Sequence, residues 1–537
     1  MALPILWDKV EPVNTRKTFL TASASLAMLG LYILLAWRYP LGPSLDNPRA
    51  SWASMGTLSW SYAVQHLIIY LGLILLYLAA MNLLRPSQNK PVTHQPRLVL
   101  FITTIWLACS IALMFASPAG ESHDIFDYLF RGRLITEYQS NPLVDAPNAF
   151  SLSIPYARYL AWRKNVDTYG PVWEASSAMV SYTVRRAASW LGWWDTSYPV
   201  CPKSPESCRL LVTYITGYRL LAVILTGFSG WLIAIIVMRN QPALVPLVLA
   251  AWLWSPLTLI TTALGGHNDA VMLVLVLLCW WLLQRQHPFW AMMALTLAAH
   301  VKLTALIWLP TCALWIIWRH GWKQALKIGL ASLVSGLVLS WVLYAPFGGW
   351  QTLPRMLQER SAFLANSPWQ IVKYLLVELG GWSSGRALQL STRLSTWLFG
   401  IGALLIPLVM FNFRPKRWRR PPVTSQEAEQ ILWRTLAAIS IIYLLVGSFW
   451  FQHWYILWLL VPAVLLPESL SIRSILPWLV FGALASNVFM SFFLATTSEA
   501  AKAMLPIGNH LLSVGLIWGP ALFSIIFFRL VDRKPLS

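Results

Sequence analysis

The sequence predicts an all-α polytopic membrane protein with about 14 transmembrane helices. Three observations carry that expectation. Of 537 residues, 57% are hydrophobic and only 11% charged, whereas a water-soluble chain of this size devotes about a quarter of its residues to charge. The 32 tryptophans and 18 tyrosines are the amphipathic rings that settle at membrane interfaces. Finally, the basic residues behind the net charge of +20 fall in short clusters between apolar runs. They form no stripe on a soluble domain, so the charge reads as membrane topology and no nucleic-acid partner is expected.

A span needs roughly 20 apolar residues. The first three run Thr18 to Trp37, Tyr62 to Leu84 and Leu98 to Ala116. After a long polar interval come Leu210 to Met238, Pro242 to Ala263, Ala270 to Leu283, a short pair at Phe289 to Ala299 and Leu303 to Trp318, and Ala325 to Phe347. Beyond a second polar interval lie Leu394 to Phe413, Leu436 to Phe449, Trp454 to Leu466, Ile475 to Leu494 and Leu511 to Phe528. The organisation follows: residues 1–97 form an N-terminal tail and membrane hairpin, 98–347 a central membrane module with a loop at 117–209, and 348–537 a C-terminal membrane module with a loop at 348–393.

Lys9/Arg16/Lys17, Arg85/Lys90/Arg97, Arg319/Lys323/Lys327, the Arg414 to Arg420 cluster and Arg529/Arg533/Lys534 thread onto one side. The positive-inside rule then puts both termini in the cytoplasm and both long loops outside, as in a multi-pass plasma-membrane protein. In that threading Pro171 to Val184 lies along the membrane as an interfacial helix, because a crossing there would reverse every later basic loop. No cleavable signal peptide is expected, since Thr18 to Trp37 is long and lacks a small-residue cleavage site.

Nine of the 20 acidic residues fall in the first external loop, which opens SHDIFDYLFRGR. Asp124 and Asp127, three apart, share one helix face. Arg131 and Arg133 follow, giving an acid/base site that faces a cation pair; a solvated, dipole-stabilised helix start is the bland alternative. A second constellation, GGHNDA, places His267, Asn268 and Asp269 in a tight external turn, which is equally ordinary turn and cap chemistry. Lys302, in AAHVKLTALIWLP, is a cation among apolar residues and calls for an anionic partner unless it snorkels. The fourth, FWFQHWYILWLLVP, carries Gln452, His453 and Tyr455 among tryptophans, as aromatic belts also do. Cys109, Cys279 and Cys312 lie in apolar runs. Cys201 and Cys208 are external and are expected to close a short disulfide loop. No HExxH or paired Cys/His spacing specifies a metal set, so metal dependence is left open. There is also no Walker or GxGxxG signature. An activated substrate must therefore arrive through the bilayer, and a lipid carrier fits.

Together HDIFDYLFRGR with its following NPL, YGPVW around Tyr169, GGHNDAVM, VKLTALIWLP and QHWYILWLLVP resemble the membrane glycosyltransferases of the C-type (GT-C) fold. The similarity is greatest to the polyprenol-phosphomannose-dependent mannosyltransferases, over about Leu98 to Leu466. The first two spans depart from that pattern as an added hairpin, and the Cys201/Cys208 insert has no counterpart in it. The resemblance implies an acidic residue of the first external loop as base, by position Asp124, with Asp127 in support. It implies a lipid-linked sugar donor, mannose for preference, and a glycan or glycolipid acceptor. A phosphate leaving group needs cationic stabilisation more than a proton donor, which suits Lys302 with Arg131 or Arg133. One base then suffices, the reaction inverts the anomeric centre, and no cofactor is required. Tyr169, His267, Asn268, Asp269, Gln452, His453 and Tyr455 are the expected substrate contacts. A lipid or sugar transporter is the competing class; it would place ionisable groups near the midplane, where Arg219 is the main exception to their clustering at one face.

Overall fold

The computed structural model describes residues 15–41, 60–86, 96–117, 122–150, 159–192, 205–361, 364–413, 424–467, 470–496 and 506–531. Among them the chain is all-helical, with no strand beyond two isolated bridges. Seven helices are long and apolar enough to cross a membrane, at 16–38, 60–83, 96–114, 211–238, 322–347, 384–410 and 425–447. An eighth passes as a pair, Pro242–Leu253 and Pro256–Leu264, bent by 49°. Five shorter apolar helices complete the bundle: Asp269–Gln284, Pro288–Ala299, His453–Val464, Ile475–Met490 and Leu511–Ile526. The predicted span Leu303 to Trp318 is instead a 3-10 segment, Leu303–Trp308, leading into the 12-residue helix Leu309–His320.

The elements around the site are α1 (Thr15–Arg38), α2 (Trp60–Leu83), α3 (Pro96–Met114), α4 (Asp124–Thr136), α5 (Pro171–Trp190) and α6 (Pro205–Met238). Next come α7 (Val245–Leu253), α8 (Pro256–Leu264), α9 (Asp269–Gln284) and α10 (Pro288–Ala299). The exit of α1 is tied to the exit of α3 by two backbone bonds, Ser117 to the Tyr39 carbonyl (2.7 Å) and Leu41 to the Phe115 carbonyl (2.8 Å). That tie fixes where the chain enters α4. Arg219, fully buried in α6, closes the same corner by donating from Nη1 to the carbonyls of Met114 (2.6 Å) and Ala116 (2.9 Å). It thus caps the negative end of the α3 dipole.

α4 and α5 are not among the candidate spans. Their close packing on α6 depends on Gly132: a Cβ there would stand 2.4 Å from the Tyr218 hydroxyl and 2.8 Å from the Ser177 carbonyl. Ser177 and Tyr218 both donate to the Tyr128 carbonyl, at 2.9 and 3.0 Å. The break between α7 and α8 comes at Ser255, whose ψ of 125° leaves the helix before Pro256 removes a donor. Tyr77 of α2 donates to the freed Ala251 carbonyl at 3.0 Å and so docks the N-terminal hairpin on the bundle.

Candidate active site

Asp124 stands at the first turn of α4. Its Oδ1 accepts from the Trp162 indole at 3.2 Å, its Oδ2 lies 4.0 Å from His267 Nδ1, and its side chain is 14% exposed. Burial raises its pKa above the ordinary carboxylate value, while the Trp162 bond and the Lys302 charge pull it back. The result is a largely sheltered carboxylate of raised basicity.

Asp127, one turn on, is used differently. It is buried, and its two oxygens accept from the backbone N–H groups of Ala161 and Trp162, each at 3.2 Å. Burial pushes its carboxyl up to about 7 against the opposing pull of Arg131 and those two donors. It clamps the loop that delivers Trp162 to Asp124.

Arg131 lies on the same helix face but behind Asp127. Its Nε is 3.2 Å from Asp167 Oδ2, and it donates to the Asn165 carbonyl at 3.1 Å. Glu174, fully buried beside Asp167, has its pKa raised by burial and by that neighbouring carboxylate. Arg133 points away from this face and is bound by Glu137 and the Tyr214 ring.

The GGHNDA and VKLT motifs meet. Lys302 Nζ donates to both oxygens of Asp269, at 3.0 and 3.1 Å, and both side chains are within 1% of complete burial. Trp458 donates its indole N–H to the same carboxylate at 2.7 Å. Three rings enclose the ammonium: Tyr455 at 5.0 Å, Trp458 at 5.2 Å and Tyr169 at 5.5 Å. Lysine therefore does not snorkel here; it has the anionic partner that its setting required.

His267 stacks on Trp454 with centroids 4.0 Å apart. Burial, reinforced by His453 and Lys302, holds its pKa well below the usual value, so it faces Asp124 as a neutral ring. The turn that presents it needs Gly266, whose φ is +62°. Asn268 is fully buried and its amide atoms have no hydrogen-bond partner among the described residues. Such a group is costly to leave unsatisfied, and a polar ligand would complete it.

Tyr169 joins the two halves of the site. Its hydroxyl accepts from Tyr128 at 3.5 Å, and its N–H donates to Asp167 at 3.0 Å. Beside it, Gly170 donates to the Val301 carbonyl at 3.1 Å and Val172 to the His300 carbonyl at 3.0 Å. A Cβ on Gly170 would lie 2.2 Å from the His300 oxygen. The YGPVW motif is thus a backbone latch holding the polar loop onto the Lys302 turn.

In the last motif His453 and Tyr455 are buried, and Tyr455 stacks on Trp458 at 4.3 Å. Gln452 is half-buried at the start of that turn, its carbonyl accepting from the Tyr455 N–H. Cys201, one half of the expected Cys201–Cys208 disulfide, lies outside the described residues. Among those residues no three His, Cys, Asp or Glu side chains converge to hold a metal ion.

Sequence reasoning overlooked Trp162, Asp167, Glu174, Trp454 and Trp458. The tryptophans at 454 and 458 were legible as an i, i+4 pair within a quoted motif. Trp162 carries no local pattern.

A helical membrane bundle with this site at one end has the organisation of a membrane-embedded glycosyltransferase. A family model described as alpha-(1->6)-mannopyranosyltransferase, N-terminal domain, matches residues 19–319, and the model of glycosyltransferase family 87 matches residues 207–446. The chain belongs to the alpha-(1->6)-mannopyranosyltransferase family and is a glycosyltransferase of the GT-C type. The first match includes the N-terminal hairpin. No curated protein matches the chain.

Proposed function

We propose that the protein moves a mannosyl residue from a polyprenyl-phosphate donor to an acceptor hydroxyl on the external membrane face, with inversion and with Asp124 as base. The observation that carries this reading is the setting of Asp124: largely sheltered, raised in pKa, oriented by Trp162 and facing a neutral His267. Asp124 takes the acceptor proton as the hydroxyl oxygen bonds to the anomeric carbon. The bond from that carbon to the phosphate oxygen breaks on the opposite face, so a β-linked donor gives an α-linked product.

Lys302 is the cation best placed to meet the departing phosphate, since its charge is felt at both Asp124 and His267. The phosphate would share it with Asp269, in a dry site where pairing is stronger than in water. Arg131 would act from behind Asp127; Arg133 is committed to Glu137. Asn268 is the natural sugar contact, with Tyr169 and Tyr455 as apolar walls.

The orientation is supported by the placement of charges. Lys17 of α1 donates to the Arg85 carbonyl, and Arg239, Arg319 and Glu429 interact, so these basic ends gather away from Asp124. No observation favours transport: Arg219 is spent on the α3 carbonyls. The test is incorporation of labelled sugar by the purified protein from a panel of polyprenyl-phosphate sugars. Transfer from the mannosyl donor to an α-linked product is expected; the (1->6) position is the first linkage to assay, from the family description. Transfer from a different lipid-linked sugar alone would displace mannose, and retention of configuration would displace the single-base mechanism.

A further inference from the structure

An apolar groove lies at the end of the bundle opposite Asp124. The exit of α2 forms one wall and α7 with the Ser255–Pro256 break another; the helices Leu457–Val464 and Leu470–Thr496 close it. It is open to the surroundings along part of its length. Its position at the far end follows from two connections. Lys17, at the start of α1, bonds to the Arg85 carbonyl just beyond α2, while the exit of α1 is bonded to Ser117 near Asp124. Similarly, the segment from His453 to Val464 begins at the site and ends in the groove.

The lining is aliphatic, with Leu78, Met81, Leu460 and Val480 among it, and polarity is confined to a few groups. Arg85 lines it, half-buried, and its buried Nε has no hydrogen-bond partner among the described residues. Asn82 lies one turn before. Three prolines line it: Pro256 opens α8, Pro467 follows the helix Leu457–Val464, and Pro477 lies within Leu470–Thr496, where it removes a helix donor. A greasy trough ending at an incompletely bonded guanidinium, at the basic end of a membrane bundle, has the chemistry of a lipid with an anionic head group.

We propose that this groove binds one anionic glycerophospholipid, its acyl chain along Leu78 and Leu460 and its phosphate on Arg85. The lipid would cement the N-terminal hairpin to the body beside the Tyr77–Ala251 hydrogen bond. Arg85 marks the end of the groove that lies away from the donor site, beside the start of α1.

The experiment uses delipidated full-length protein in neutral detergent, titrated with phosphatidylglycerol, phosphatidylcholine or undecaprenyl phosphate, with bound lipid counted by native mass spectrometry and unfolding followed thermally. Phosphatidylglycerol should be retained in preference to phosphatidylcholine and should raise the unfolding midpoint. Arg85→Gln should weaken it about fivefold, the effect of one charge near a lipid phosphate. Leu78→Trp, at a half-buried wall position, should abolish retention of that one lipid at an unchanged midpoint without lipid. Equal retention of both phospholipids, or an Arg85→Gln protein that binds phosphatidylglycerol as tightly as wild type, would overturn the proposal. Displacement of phosphatidylglycerol by equimolar undecaprenyl phosphate would overturn it in favour of an isoprenoid site.

Discussion

Both carboxylate oxygens of Asp269 accept from Lys302, 33 residues away, inside a ring of three aromatic side chains. Neither charge is solvated, so neither tolerates loss of the other. Lys302→Met is expected to lower stability by about 3 to 5 kcal/mol, the cost of stranding one charge of a buried pair. Lys302→Met combined with Asp269→Leu should recover most of that loss without recovering transfer. Thermal unfolding and turnover measured side by side check both; a double variant with normal turnover would remove the pair from the chemistry.

Asp124→Asn keeps the carboxamide oxygen available to Trp162 but supplies no base. Transfer should fall by about 10²- to 10⁴-fold with the unfolding temperature unchanged. Turnover within a few-fold of wild type would end the assignment of Asp124 as base.

Asp127→Ala deletes the acceptor of the Ala161 and Trp162 backbone N–H groups, at the edge of the loop. Both donors lose a charge-assisted bond and turn to water, so the loop around Ala161 should open first. Faster amide exchange at 160–163, ahead of any global unfolding, is the expected signature. A loop protected as in wild type would mean the clamp is dispensable.

The pH profile of transfer reports Asp124. Its ionised form is the active one, and burial raises its pKa, so the acid limb should lie above the ordinary carboxylate range and the rate should climb with pH through it. Trp162→Phe removes a bond that favours the carboxylate, so the limb should move to still higher pH. An unmoved or lowered limb would refute the role given to Trp162.

Gly170→Ala inserts a methyl against the His300 carbonyl. The latch must separate, at the cost of overpacking, about 1 to 3 kcal/mol, and Tyr169 moves off Lys302. Transfer should drop together with stability, and a structure of the variant should show the Gly170–Val301 bond broken. An intact bond would show that the turn yields more easily than its geometry implies.

Apolar run length made the helical membrane bundle readable, because a span leaves its mark locally along the chain. It misjudged the stretch after Lys302, where 3-10 geometry replaces the start of a helix, since hydropathy does not distinguish the two. Asp124 was conspicuous by its place at a membrane margin. What could not be read was partnership: that Asp269 would answer Lys302, that Asp127 would accept from the Ala161 and Trp162 backbone, or that Trp162 would reach Asp124 across 38 positions. Those contacts belong to the closed three-dimensional packing and have no short-range signature. Arg133 illustrates the converse, since its i+4 neighbour Glu137 was visible in the sequence and accounts for it.

Arg219 also bears on how the chain is made. A guanidinium in the middle of an inserting helix resists partition from the translocon by about 2.5 to 3.5 kcal/mol. Here its acceptors are carbonyls at the end of α3, an element synthesised earlier than α6. The receptor for the charge is therefore already in the bilayer when α6 emerges from the ribosome. Membrane insertion of α6 becomes conditional on a correctly seated α3, and the order of translation serves as a checkpoint on assembly.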